Sequence, residues 1–181
     1  NSQFPNSFEN VYKSEKLSEL NQQRLMFLPL FVKTNDGVSV CLTETDLYDY
    51  PGLYLVADDG LRLAGVHAGY PKNVEGGGYN NLQLLVNERE DFIAKVEAPR
   101  NFPWRIAVIS ENDKDIAASN LSYLLAEPSK LSDISWIKPG KVAWEWWNAW
   151  NLDGVDFETG VNNDTYKAYI DFASKNGIEY V

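Results

Sequence analysis

The chain has 181 residues, 44% hydrophobic and 13% aromatic, which supplies enough apolar mass for a packed core and excludes a disordered tract. A formal charge of -10 and a pI near 4.5 exclude nucleic acid or an anionic membrane surface as the main partner, because both need a basic face. One cysteine, Cys41, and one histidine, His67, exclude an internal disulfide, a CxxC zinc or redox centre and a histidine-rich metal site, so chemistry would fall to carboxylates.

The first twenty residues are polar, with no basic-then-apolar leader, and nowhere does an apolar run approach the roughly 18 residues that a membrane span needs. From residue 23 to about 110 the pattern is β. Predicted strands are RLMFLPLFVK, GVSVCLTE, GLYLVA and LRLAGVHAGY, with a turn at Asp59-Gly60 between the last two. The Gly-rich stretch NVEGGGYNN reads as a loop, and LQLLVNE, FIAKVEA and WRIAVIS as further strands of an antiparallel sandwich. Cys41 falls in a strand and is expected to be buried and inert. The three glycines lack the following Lys-Ser or Lys-Thr that a phosphate-cradling loop requires.

The stretch NDKDIAASNLSYLLAEP places Ile116, Ala117, Leu121, Leu124 and Leu125 near one helical face, and Pro128 closes it. The pattern then changes. KVAWEWWN reads as a strand, NDTYKAYIDFASKNG as a helix with an Asn or Asp cap and a terminating Gly177, and IEYV as a second strand. A parallel strand needs neighbours and covering helices, so this β-α-β unit predicts a chain that continues, and both ends read as cut. The expected fold is mixed β and α/β: a partial antiparallel β-sandwich over 1–112, a linker helix and connection over 113–135, and over 136–181 the first β-α-β unit of a barrel.

Four of the six tryptophans lie between Trp144 and Trp150, beside Glu145, Asn148 and Asn151. Strand alternation would send Trp144, Trp146 and Asn148 to one face and Ala143, Glu145 and Trp147 to the other, with Trp147 and Asn148 at the strand end where barrel sites form. Aromatic rings stack on the C–H faces of sugars while carboxylates and amides bond the hydroxyls, so a sugar site is one reading. The other is that the rings fill an interface and the acids Asp153, Asp156 and Glu158 belong to a solvated loop. Upstream, Glu44, Asp46 and Asp49 gather at a strand end before a Pro-Gly turn, a pattern open to a Ca²⁺ site or a solvated turn; its spacing is not that of an EF-hand. His67 falls at a strand end before a turn and reads as a surface or loop histidine, with a ligand contact as the other reading, and Arg105 as covering a sheet face or pairing with an acid. The acceptor patterns at Asn120 and Asn163 fall in helical positions and receive no role.

TETDLYDYPGLYL, then WIKPGKVAWEWWNAWN some ninety residues later, then NDTYKAYIDFASKNGIEYV, resemble glycoside hydrolase family 97 in order and spacing. The resemblance implies an N-terminal β-sandwich followed by a (β/α)₈ barrel, in an exo-acting α-glycosidase, an α-glucosidase first and an α-galactosidase second. It implies an oligosaccharide or α-glycoside substrate contacted by Trp144, Glu145, Trp147 and Asn148. It further implies a Ca²⁺ ion bound through Glu44 and completed by residues outside this chain, catalytic carboxylates beyond Val181, and location in the bacterial periplasm or at the cell surface. Glu145 and Ala149 depart from the family's usual Asp or Ser, and Asp, at those places. The alternatives from other classes are a non-catalytic carbohydrate-binding β-sandwich and an interaction scaffold.

Overall fold

A computed structural model describes residues 12–20, 24–58, 61–78 and 81–181, so the predicted turn at Asp59-Gly60 lies outside the described residues. The chain divides into two compact units, residues 1–128 and 129–181.

The first unit is rich in antiparallel strands. β1 (Leu30–Lys33), β2 (Ser39–Thr45) and β7 (Trp104–Ser110) form one sheet in the order β1-β2-β7. β3 (Tyr54–Ala57) pairs with β4 (Leu63–Val66), and β5 (Pro71–Gly77) with β6 (Gln83–Arg89). In β7 the period of two is plain: Ile106 is buried and Val108 half-buried, while Arg105, Ala107 and Ile109 face out. Leu55 and Ala57 do the same in β3. Antiparallel strands of this kind fit a β-sandwich. Cys41 is half-buried in β2 rather than fully enclosed, opposite Phe31 on β1 and Val108 on β7.

Three predicted elements differ. Asn73, Val74, Glu75, Gly76 and Gly77, expected in a loop, form most of β5, the glycines because Leu84 and Gln83 across the ladder supply the pairing that glycine's weak strand preference does not. The chain reverses only afterwards, at Gly78 with φ +70°. FIAKVEA forms no strand; instead Phe92 stacks on Tyr70 at 5.6 Å, its carbonyl accepts the Tyr70 N–H, and Lys95 covers the Tyr70 ring. The linker helix is two helices, α1 (Asp113–Ala117) and α2 (Leu121–Leu125). The break falls at Ser119-Asn120, where the Ser119 hydroxyl accepts the Leu121 N–H in competition with the helical ladder.

The second unit is built on α3 (Asn163–Lys175), which ends at the predicted Gly177 but has its cap one residue ahead of the NDTYK stretch in which the Asn or Asp cap is expected. The Asn162 side chain accepts the Thr165 N–H, Asp164 and Lys175 sit at the ends the helix dipole favours, and Gly177 turns at φ +62° while the Ile178 N–H closes on the Ala173 carbonyl. Thr165, Tyr169 and Ala173, four apart, form its buried face against Ala143, with Leu152 and Ile178 packed alongside. The flanking strands are much shorter than expected. Val142 and Tyr180 meet in a single parallel bridge, with the Ala143 N–H on the Tyr180 carbonyl and the Tyr180 N–H on the Lys141 carbonyl. KVAWEWWN is extended only to Trp144 and then tightens into a 3₁₀ turn, Glu145–Asn148. Among the described residues no helix is long and apolar enough to cross a membrane.

Candidate functional site

The 3₁₀ turn re-sorts the tryptophans. At three residues per turn, positions i and i+3 eclipse, so Trp144 and Trp147, expected on opposite faces, lie with ring centroids 5.9 Å apart. Trp146 meets Trp150 edge-on at 4.8 Å. Trp147 is 82% exposed and Trp144 more than half exposed, so the pair presents aromatic surface.

The chain leaves the turn through two successive left-handed residues, Ala149 at φ 54° and Trp150 at φ 57°. A side chain there costs energy, which neighbouring contacts must offset. The Trp150 N–H reaches the Glu145 carbonyl, and the Asn151 N–H the Asn148 carbonyl. Asn148 and Asn151 exchange side-chain amide donations to each other's carbonyls, both at 2.8 Å. The buried Tyr169 hydroxyl lies 2.8 Å from Asn148 Oδ1 and 3.3 Å from the Asn151 carbonyl. Asn148, predicted as a sugar contact, therefore spends one amide hydrogen and one oxygen lone pair on shaping the turn. Glu145 is half-buried and accepts a hydrogen bond from the Tyr166 hydroxyl at Oε1, 3.3 Å away. Tyr166 in turn receives the Trp150 indole N–H at 3.2 Å. Asp153, Asp156 and Glu158 are exposed on the following loop.

In the first unit the three acids of TETDLYD go separate ways. Glu44 Oε2 pairs with Arg105 Nη1 at 2.6 Å, and Oε1 accepts the Leu53 N–H at 3.0 Å. Asp46 accepts the Glu127 N–H at 3.1 Å. Arg100 donates to the carbonyls of Tyr48 and Asp49, and His67 Nδ1 lies 3.1 Å from the Gly52 carbonyl with its ring edge-on to Tyr50. These bonds fix the 46–53 turn, where Asp46 and Asp49 both have positive φ. Among the described residues no three of His, Cys, Asp and Glu converge to hold a metal. Glu44 has a guanidinium for its cation, so these residues alone do not build the six to eight oxygen ligands that Ca²⁺ takes.

The sequence singles out Trp144, Glu145, Trp147 and Asn148 but not the two tyrosines that bond Glu145 and Asn148. Their signal is the spacing on α3: Tyr169 on the buried stripe with Thr165 and Ala173, and Tyr166 one turn earlier.

The chain is 71% identical over 182 aligned positions to a retaining alpha-galactosidase from Bacteroides thetaiotaomicron, covering all of this chain and 28% of that protein. A probable retaining alpha-galactosidase from Streptomyces bingchenggensis is 33% identical over 79 residues, which are 44% of this chain and 11% of that one. Among solved structures, a glycoside hydrolase family 97 enzyme from Pseudoalteromonas sp. strain K8 in complex with acarbose superposes with a TM-score of 0.58 at 28% identity, over 88% of this chain and 22% of that chain. A variant from the same strain gives 0.59 at 27% identity, over 91% and 23%. This chain therefore spans little more than a quarter of the length of the curated relative that it matches throughout. Residues 1–128 match the N-terminal domain of glycosyl hydrolase 97 and residues 146–181 match glycoside hydrolase 97 itself, so the chain belongs to glycoside hydrolase family 97.

Proposed function

We propose that this chain is part of a retaining α-galactosidase that removes terminal α-linked galactose from oligosaccharides or α-galactosides. The observation that carries the reading is the 71% identity, along the whole chain, to a protein of that name. Of the two sugars the sequence analysis held open, galactose is favoured on that ground, since the solved neighbour bound to acarbose is only 28% identical.

Residues 1–112 then belong to an N-terminal β-sandwich, 113–135 to the connection, and 136–181 to the opening β-α-β unit of a (β/α)₈ barrel. Supporting this is the parallel bridge between Val142 and Tyr180 across one intervening helix, α3. In this reading Trp144 and Trp147 stack on the apolar face of a sugar ring, while Glu145 and the remaining valences of Asn148 accept and donate to its hydroxyls. A retaining glycosidase needs one carboxylate to attack the anomeric carbon and another to protonate the leaving oxygen, about 5–5.5 Å apart. Both are assigned to segments outside these residues, on the family resemblance alone, and Asp153, Asp156 and Glu158 are given no catalytic role.

The Ca²⁺ expectation is retained in one form: Glu44 supplies a single ligand to a site completed elsewhere, exchanging Arg105 for the ion. Its support is the family resemblance of TETDLYDYPG. Residence in the bacterial periplasm or at the cell surface belongs to the same proposal, rests on the family resemblance alone, and is checked by fractionating the source cells.

The deciding experiment follows hydrolysis of an α-galactoside by proton NMR with the full-length protein. Release of α-galactose first supports the reading. β-Galactose first would overturn retention, and turnover of α-glucosides alone would overturn the sugar. A carbohydrate-binding protein without catalysis would bind galactose and hydrolyse neither.

A further inference from the structure

The turn at 145–151 is held from one side by two tyrosines, and they hold different things. Tyr169 is buried and bonds Asn148, which shapes the backbone. Tyr166 bonds an acid. A phenol has one hydrogen to give, and the indole N–H of Trp150 already donates to its oxygen, so that hydrogen is directed to Glu145 Oε1. The run Trp150 to Tyr166 to Glu145 therefore has a single direction. It ends on a carboxylate whose second oxygen, Oε2, has no protein partner among the described residues. The indole that starts the run is itself fixed, by its left-handed backbone and by the edge contact with Trp146. Strained backbone of this kind persists where the surroundings over-determine it, which is common at ligand clamps.

We infer that Tyr166 is a positioning residue for sugar recognition: by engaging Oε1 it fixes the Glu145 carboxylate so that Oε2 is held ready for a hydroxyl of a sugar stacked on Trp144 and Trp147. The inference rests on the sugar-binding reading above. It adds that recognition depends on a residue of α3 that contacts no sugar itself. A carboxylate left to rotate loses its orientation on each encounter, and fixing it beforehand lowers the entropic cost of binding.

The test is a double-mutant cycle in the full-length protein, with D-galactose as the probe and tryptophan fluorescence as the readout. Y166F keeps the ring and removes the hydroxyl, and is expected to weaken galactose about fivefold, the worth of one hydrogen bond. In an E145A background, which removes the acceptor, the same change is expected to do nothing more, because Tyr166 acts only through the carboxylate. With an α-galactoside the loss falls on KM and leaves kcat nearly intact. A purely structural tyrosine would instead cost the same in both backgrounds, and that result, or no loss at all, overturns the inference. If Y166F does not fold, W150F removes the upstream donor and enters the same cycle. Coupling in galactose binding without any turnover would overturn the hydrolase reading and keep the clamp. A folded protein that binds no galactose would overturn the clamp.

Discussion

Glu44 and Arg105 stand directly opposite each other on β2 and β7 and close a 2.6 Å ion pair. The same carboxylate receives the Leu53 N–H at the entrance to β3, so one acid ties together two paired strands and a third that belongs to another sheet. With its side chain 9% exposed, Glu44 is a buried charge that is paired and hydrogen-bonded, the condition under which such burial is tolerated.

Glu44→Gln keeps the shape, loses the charge, and leaves Arg105 unpaired. The Arg105 side chain is 34% exposed, so water compensates part of the loss, and we expect a destabilisation of about 1–2 kcal/mol by denaturant titration in the presence of a chelator. If Glu44 also serves Ca²⁺, calcium raises the unfolding midpoint of the native protein and not of the variant. An identical calcium response in both would confine Glu44 to its structural role.

The second prediction concerns acid. Ser39 is fully buried and donates to Asp113 at 2.6 Å, and Lys33 pairs with the same carboxylate; in that order they hold the Asp113 carboxyl below its usual range. A depressed folded value means stability that is present above the unfolded value of about 4 and is lost as pH falls through the folded one. Asp113→Asn should therefore be less stable than the native protein at neutral pH, with the gap closing on acidification below about pH 4. Urea midpoints across that range measure it, and a gap independent of pH would refute the linkage.

These two contacts explain what could be read beforehand. Alternation gave β2 and β7 almost residue for residue, and the Asn-Asp cap signal and Gly177 gave α3 to within a residue at its start, because those signals are local. The partner of Arg105 was open, since which acid faces it depends on the β2–β7 register across some sixty residues of chain. The tryptophan run was misplaced for a different reason. Trp-rich sequence favours strands, and the 3₁₀ turn is imposed from α3 by Tyr169 and from within by the Asn148–Asn151 exchange, neither of which leaves a periodic trace. Gly76 and Gly77 likewise became strand through their partners rather than their own preference.

Ala149 tests the strain in that turn. A left-handed alanine costs about 1–2 kcal/mol, whereas glycine adopts φ 54° freely but adds about 0.4–1 kcal/mol of unfolded-state entropy. Ala149→Gly is thus expected to raise stability by roughly 0.5 kcal/mol, where an ordinary alanine-to-glycine change lowers it. A thermal midpoint lower than that of the native protein would mean that the turn is unstrained.

Trp147 separates binding from folding. Its ring is 82% exposed, so Trp147→Ala removes little buried surface, and stability should change by no more than about 0.5 kcal/mol. Stacking on a sugar face is worth about 0.5–1.5 kcal/mol on the scale of aromatic contacts, so galactose affinity should fall roughly three- to tenfold. Trp147→Phe keeps an aromatic face and should recover part of the loss, while Trp144→Ala should weaken binding through the same pair of rings. The measurement is calorimetric titration of the full-length protein with D-galactose, run beside a thermal melt of each variant. Unchanged affinity with unchanged melting would remove Trp147 from the sugar site. A variant that unfolds while the native protein is stable would assign the ring to an interface, the role the scaffold alternative gives it.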